Sequence, residues 1–96
     1  MIYHIHMKLT KEKIKKYINK KNGYLHKNFK VKKIGLFGSF ARNEQSVKSD
    51  IDFLVEFDKT IGLFEFAKLQ RELSENFNRK VDLVTIKALK PLLKQA

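Results

Sequence analysis

The chain has 96 residues, is 43% hydrophobic with eight Phe, and carries a formal net charge of +11 with no cysteine. Such a length makes one domain, able to bury about 60–65% of its extended surface, and the missing cysteines exclude a disulfide framework and a thiolate zinc site. No run reaches the ~18 apolar residues of a membrane-spanning helix, and residues 1–7 are too short and too polar for a secretory signal, so a soluble cytoplasmic protein is expected.

The charge is unevenly placed. Residues 1–48 hold thirteen Lys and Arg against two acids, whereas residues 49–96 hold eight of each. One reading is a field that attracts nucleotide, nucleic acid or an acidic protein. The other is a solvated lysine-rich face. Only Arg42 is an arginine in that half and no aromatic stacking pattern interleaves the lysines, so a nucleic-acid surface is the weaker expectation.

In chain order, residues 1–8 are expected to be a flexible extension of a single domain over 1–96, with Met7 as an alternative start. His4 and His6 would share a strand face, but two histidines without a third ligand do not make a metal site. Residues 10–21 predict a helix, with Thr10 as N-cap and Gly23 just past its end. Its apolar stripe is Ile14, Tyr17 and Ile18, with the stem of Lys21 beside it. Residues 24–30 read as a connector carrying a surface histidine, His26. Val31–Phe37 reads as a strand, followed by Gly38-Ser39 opening a single helical turn over 39–42. Ile51–Phe57 is a second strand, broken by residues 58–62. Leu63–Phe77 is a helix with Leu63, Phe66, Leu69, Gln70, Leu73 and Phe77 on one side, ended by Asn78 in a left-handed conformation. Residues 79–85 form a third strand and 86–95 a short helix interrupted at Pro91.

Asp50 and Asp52 lie two residues apart at the start of the second strand. Alternation sends both side chains to one face, with Cα atoms about 6.5–7 Å apart. Such a pair suits a hard divalent cation such as Mg²⁺, which takes oxygen ligands and keeps positions open for water and phosphate. Exposed N–H groups, the Ser39 hydroxyl and the bare Gly38 backbone favour a phosphate. A strand–helix–strand unit predicts a right-handed parallel crossover, and the short link between the first two strands predicts an antiparallel pair. Gly38, Ser39, Asp50, Asp52 and Asp82 then converge on one sheet edge. Asp82, between Val81 and Leu83, is costly to bury without a partner or a metal; its alternative is an exposed edge position. The expected fold is α/β (α+β), a small mixed β-sheet of at least three strands flanked by helices.

Gly38-Ser39, ten residues, then Asp50-Ile51-Asp52 resembles the signature of the DNA polymerase β-like nucleotidyltransferase superfamily. The wording Gly-Ser-Phe-Ala-Arg and Ser-Asp-Ile-Asp-Phe-Leu-Val is similar to the minimal nucleotidyltransferase (MNT) group, many of whose members are MntA-type antitoxins paired with a HEPN-domain toxin. The resemblance covers about residues 32–85. It implies the polymerase β-like fold and transfer of AMP from ATP, with one or two Mg²⁺ ions, to a tyrosine hydroxyl of a HEPN toxin. It implies that Asp50, Asp52 and Asp82 are catalytic and ligate the metal, that Gly38 and Ser39 bind the β- and γ-phosphates, and that Asp82 also helps deprotonate the acceptor. Arg42 either contacts the triphosphate or braces the loop. Asn43 and Asn78 stand where relatives often carry Gly; asparagine tolerates positive φ, so both turns are expected to survive. The chain ends soon after Pro91 where relatives continue, which leaves a homo- or hetero-oligomer open. Two alternatives remain: a binding module that neutralises its partner by contact alone, and a basic nucleic-acid-binding protein.

Overall fold

A computed structural model describes residues 8–46 and 48–86. The expectations for residues 1–7, with His4 and His6, and for a helix over 87–95 lie outside the described residues. The elements are α1 (Lys11–Phe29), β1 (Val31–Phe37), β2 (Ile51–Phe57), α2 (Leu63–Phe77) and β3 (Val81–Thr85).

Helix α1 starts as expected. The Thr10 hydroxyl accepts a hydrogen bond from the Lys13 N–H at 3.2 Å, satisfying one of the amides that the first turn leaves open. Its end differs from expectation. Gly23 lies inside the helix, residues 24–29 continue it, and the chain leaves through Lys30 in the left-handed region at φ 60°. Periodicity explains the difference: after Ile14 and Ile18, the same face presents Leu25 and Phe29, both buried. Burying a Leu and a Phe contributes about 1.5–3 kcal/mol each, against roughly 1 kcal/mol for a mid-helix glycine. A Cβ added at Gly23 meets nothing within 4 Å. Gly23→Ala is therefore expected to stabilise the fold by about 0.5–1 kcal/mol, read as a higher urea midpoint with unchanged slope.

The sheet runs in the order β1-β2-β3, with β1 antiparallel and β3 parallel to β2, as expected. Strand β3 begins two residues later than expected, because Asn78 at φ 51° turns the chain and Arg79 donates its N–H to the Ser74 carbonyl at 3.1 Å instead of entering the sheet. Ile51, Phe53 and Val55 are buried, as are Val81 and Leu83 opposite them, in one cluster with Ile14, Ile18, Leu25 and Phe29 of α1 and Leu69, Leu73 and Phe77 of α2. Both described helices thus pack on one sheet face. Alternation along β2 and β3 sends Asp52 and Asp82 to the other.

Helix α2 matches its expected bounds and, from Phe66 to Phe77, its expected face; only Leu63 departs. Leu63 is 81% exposed, as is its neighbour Phe64 at 90%. The first turn precedes the stretch that lies on the sheet; contact begins at Phe66, whose ring meets that of Phe57 at 6.2 Å. Among the described residues no helix is long and apolar enough to cross a membrane.

Candidate active site

The site begins where β1 ends. Gly38 has φ 78°, a region that side chains with a Cβ rarely adopt. A Cβ there would run into the Asp52 carboxylate. The glycine thus has a role that the sequence did not announce: it leaves the volume in which Asp52 sits. Gly38→Ala is expected to destabilise the protein by about 1–3 kcal/mol through strain and collision. Gly38→Asn tolerates the backbone angle but keeps the Cβ, so any remaining loss in a urea titration isolates the collision.

After Gly38 the chain makes one helical turn. The Arg42 N–H donates to the Gly38 carbonyl at 3.2 Å, Asn43 to Phe40 at 3.3 Å and Glu44 to Ser39 at 2.8 Å. Asn43 closes it at φ 57°, so the turn forms with asparagine in the left-handed region, as expected. The N–H groups of Ser39, Phe40 and Ala41 head the turn with no acceptor among the described residues. Open amides at the start of a helical turn are suited to an anion. Phe40 is fully buried and fastens the turn to the core, while Lys11 of α1 donates its Nζ to the Ala41 carbonyl at 3.1 Å.

The three aspartates come from adjacent strands. Phe37 at the end of β1 pairs with Asp52, and Asp52 pairs with Asp82 across the parallel ladder. Asp50 precedes β2 by one residue, with its Oδ2 3.8 Å from Lys80 Nζ. Burial, then the charge of Asp82, then that of Asp50 hold the Asp52 carboxyl above the usual carboxylate range, and Arg42 offsets part of this. Like charges gathered at one place favour a cation. Among the described residues, no three His, Asp or Glu side chains are grouped so as to hold a metal by themselves. The donor set still fits Mg²⁺, which is characteristically bound by one or two carboxylates together with substrate phosphates rather than by an all-protein cage.

Arg42 pairs with Glu44, Nε to Oε1 at 2.8 Å, on an exposed edge. His26 lies at the far end of the sheet, its Nδ1 3.1 Å from Asp58 Oδ2 and 3.2 Å from the Val31 carbonyl, away from the aspartates. Four further residues shape the site without having been singled out from the sequence: Lys11, Phe40, Arg79 and Lys80. Phe40 alone carried a signal, an aromatic residue inside an otherwise polar loop.

The chain matches the Polymerase beta, Nucleotidyltransferase family over residues 12–96. It is 46% identical over 88 residues to a candidate protein adenylyltransferase of Methanocaldococcus jannaschii, covering 91% of this chain and 90% of that one. It is 37% identical over 82 residues to the protein adenylyltransferase MntA of Thermococcus cleftensis, covering 85% and 83%. Among solved structures, a toxin–antitoxin crystal structure with AMP-PNP superposes with a TM-score of 0.66 at 31% identity; it covers 91% of this chain, which spans 65% of that chain's length. The chain belongs to the polymerase beta nucleotidyltransferase family. It is a nucleotidyltransferase whose relatives include proteins named protein adenylyltransferase.

Proposed function

We propose that this chain, as a single minimal domain working in the cytoplasm, transfers AMP from ATP to a tyrosine hydroxyl of a cognate HEPN toxin and so acts as its antitoxin. The observation that carries the reading is the arrangement at one sheet edge: the open amides after Gly38 lie beside Asp52, which is crowded by Asp50 and Asp82. The relatives' names and the toxin–antitoxin neighbour with AMP-PNP support ATP as donor and a toxin as partner.

In this reading the amides of the turn and the Ser39 hydroxyl hold the β- and γ-phosphates, and Arg42 exchanges Glu44 for a phosphate oxygen. Asp50, Asp52 and Asp82 hold Mg²⁺, which when bound neutralises charge on the triphosphate. The acceptor oxygen forms a bond to the α-phosphorus, the bond to the α–β bridging oxygen breaks, and pyrophosphate leaves. Asp82 takes the hydroxyl proton and passes it to solvent. Such chemistry depends on positioning and charge complementarity more than on a covalent intermediate.

The exposed Leu63 and Phe64 favour a second reading, neutralisation by contact alone, since adjacent exposed apolar side chains suit a protein interface. Intact mass of the co-expressed neighbour after incubation with ATP and Mg²⁺ separates the two. A gain of one or more adenylyl groups, lost with Asp50→Asn/Asp52→Asn, supports transfer. A silenced toxin with unchanged mass would sink it in favour of contact.

A further inference from the structure

Arg79 touches both halves of the signature at once. One of its terminal nitrogens donates to the Ser49 carbonyl at 3.0 Å and to the Ser46 carbonyl at 3.3 Å. The guanidinium carbon lies 5.4 Å from the centroid of the Phe40 ring. Ser49 immediately precedes Asp50, Phe40 immediately follows Ser39, and Arg79 itself lies three residues before Asp82. No other side chain among the described residues joins these three segments by the contacts recorded.

We propose that Arg79 is a positioning residue for nucleotidyl transfer, a clamp that sets the phosphate-binding turn, Asp50 and Asp82 at their mutual distances. The inference rests on the transfer reading above. Serines 46 and 49 form a small turn of their own: the Ser46 N–H donates to Ser49 Oγ at 2.8 Å and the Ser49 N–H to the Ser46 carbonyl at 3.1 Å. That turn leaves two carbonyls pointing the same way, and a cation donating to both fixes it against β3. Next to it, the Ile51 N–H donates to the Lys80 carbonyl at 2.9 Å, so the backbone either side of the clamp already joins β2 to the approach of β3. Charge-assisted bonds to carbonyls are stronger than neutral ones, and the aromatic face adds a further cation contact. A planar guanidinium can stack on Phe40 while its edge donates to the carbonyls; the point charge of a lysine cannot do both.

Arg79 holds two backbone carbonyls and a ring, none of them a group assigned to the reaction, so its removal should act on the geometry of the step and not on ATP affinity. In Arg79→Met, amide hydrogen exchange at Glu44, Ser49 and Ile51 is expected to quicken by about 10-fold or more as the loop opens locally, with exchange in α1 unchanged. With partner toxin as acceptor, kcat is expected to fall on the order of 10²-fold, the cost of a displacement of about 1 Å, while KM for ATP shifts less than about threefold. Arg79→Lys should recover part of kcat, and millimolar guanidinium added to Arg79→Ala should recover more than it does for the natural chain. Uniformly faster exchange with a matching loss of melting temperature and no recovery by either route would mean a merely structural residue and overturn the proposal. Unchanged loop exchange in Arg79→Met overturns it as well. If the natural chain transfers nothing, the transfer reading fails, and the exchange comparison still decides whether Arg79 clamps the loop.

Discussion

Replacing Asp52 with asparagine is expected to lower kcat for the proposed AMP transfer on the order of 10³-fold and, without metal, to make the protein harder to melt. Both effects have one cause. Asp52 is pressed between the Gly38 backbone and two other carboxylates, and burial with the charges of Asp82 and Asp50 holds its carboxyl above the usual range. A raised folded-state value means that the folded chain binds the proton more tightly than the unfolded chain. The favourable contribution is present in acid and is lost as pH rises through the folded value. Asparagine removes the ionised group and that penalty with it. In EDTA the variant should therefore melt higher than the natural chain at pH 7, and the gap should close as pH falls toward the ordinary aspartate value of ~3.9. Mg²⁺ with ATP should reverse the order, since ligand binding stabilises only the chain that can bind. A variant that melts lower than the natural chain at pH 7 in EDTA would contradict the crowding; one that retains transfer would remove Asp52 from the reaction.

Phe40→Ala should be among the most damaging single changes to stability. The ring is fully buried, and losing it costs about 3–5 kcal/mol by the general behaviour of Phe→Ala in cores, out of the 5–15 kcal/mol typical of a small domain. The loss falls on a loop, where most side chains are dispensable. Here the ring ties the turn after β1 to the helices and gives the Arg79 guanidinium its flat neighbour. A urea titration should show a lower midpoint with unchanged slope, while Phe64→Ala, at a residue 90% exposed, should stay within about 0.5 kcal/mol of the natural chain. Equal effects at the two positions would mean that burial in the loop is not what holds it.

Strands β1 and β2 and helix α2 were legible to the residue because each is a short apolar pattern closed by a glycine, an aspartate or an asparagine. The caps were legible for the same reason: Thr10, Asn43 and Asn78 act through their own backbone and side chain. Misreadings arose where a local signal met a distant one. Gly23 looks like a helix end until Leu25 and Phe29 find the core, and Leu63 looks like a core residue until the sheet proves to reach only Phe66. Sequence order and strand pairing bring the candidate aspartates together, so their nearness could be read from topology. The Arg79 contacts join residues 30 and 33 positions apart, and nothing periodic announces them.

Asp52 stands on β2, the central strand, whose backbone is hydrogen-bonded along both sides, whereas Ser39 stands on a turn held by three backbone bonds and a few side chains. The two halves of the site therefore differ in compliance. Asp52 sits on the segment whose amides should exchange last with solvent, and the turn that follows Gly38 sits on one that can yield by fractions of an ångström at far lower cost. If the proposed site holds ATP, nucleotide exchange is expected to proceed by strain in the turn, with Asp52 remaining in register.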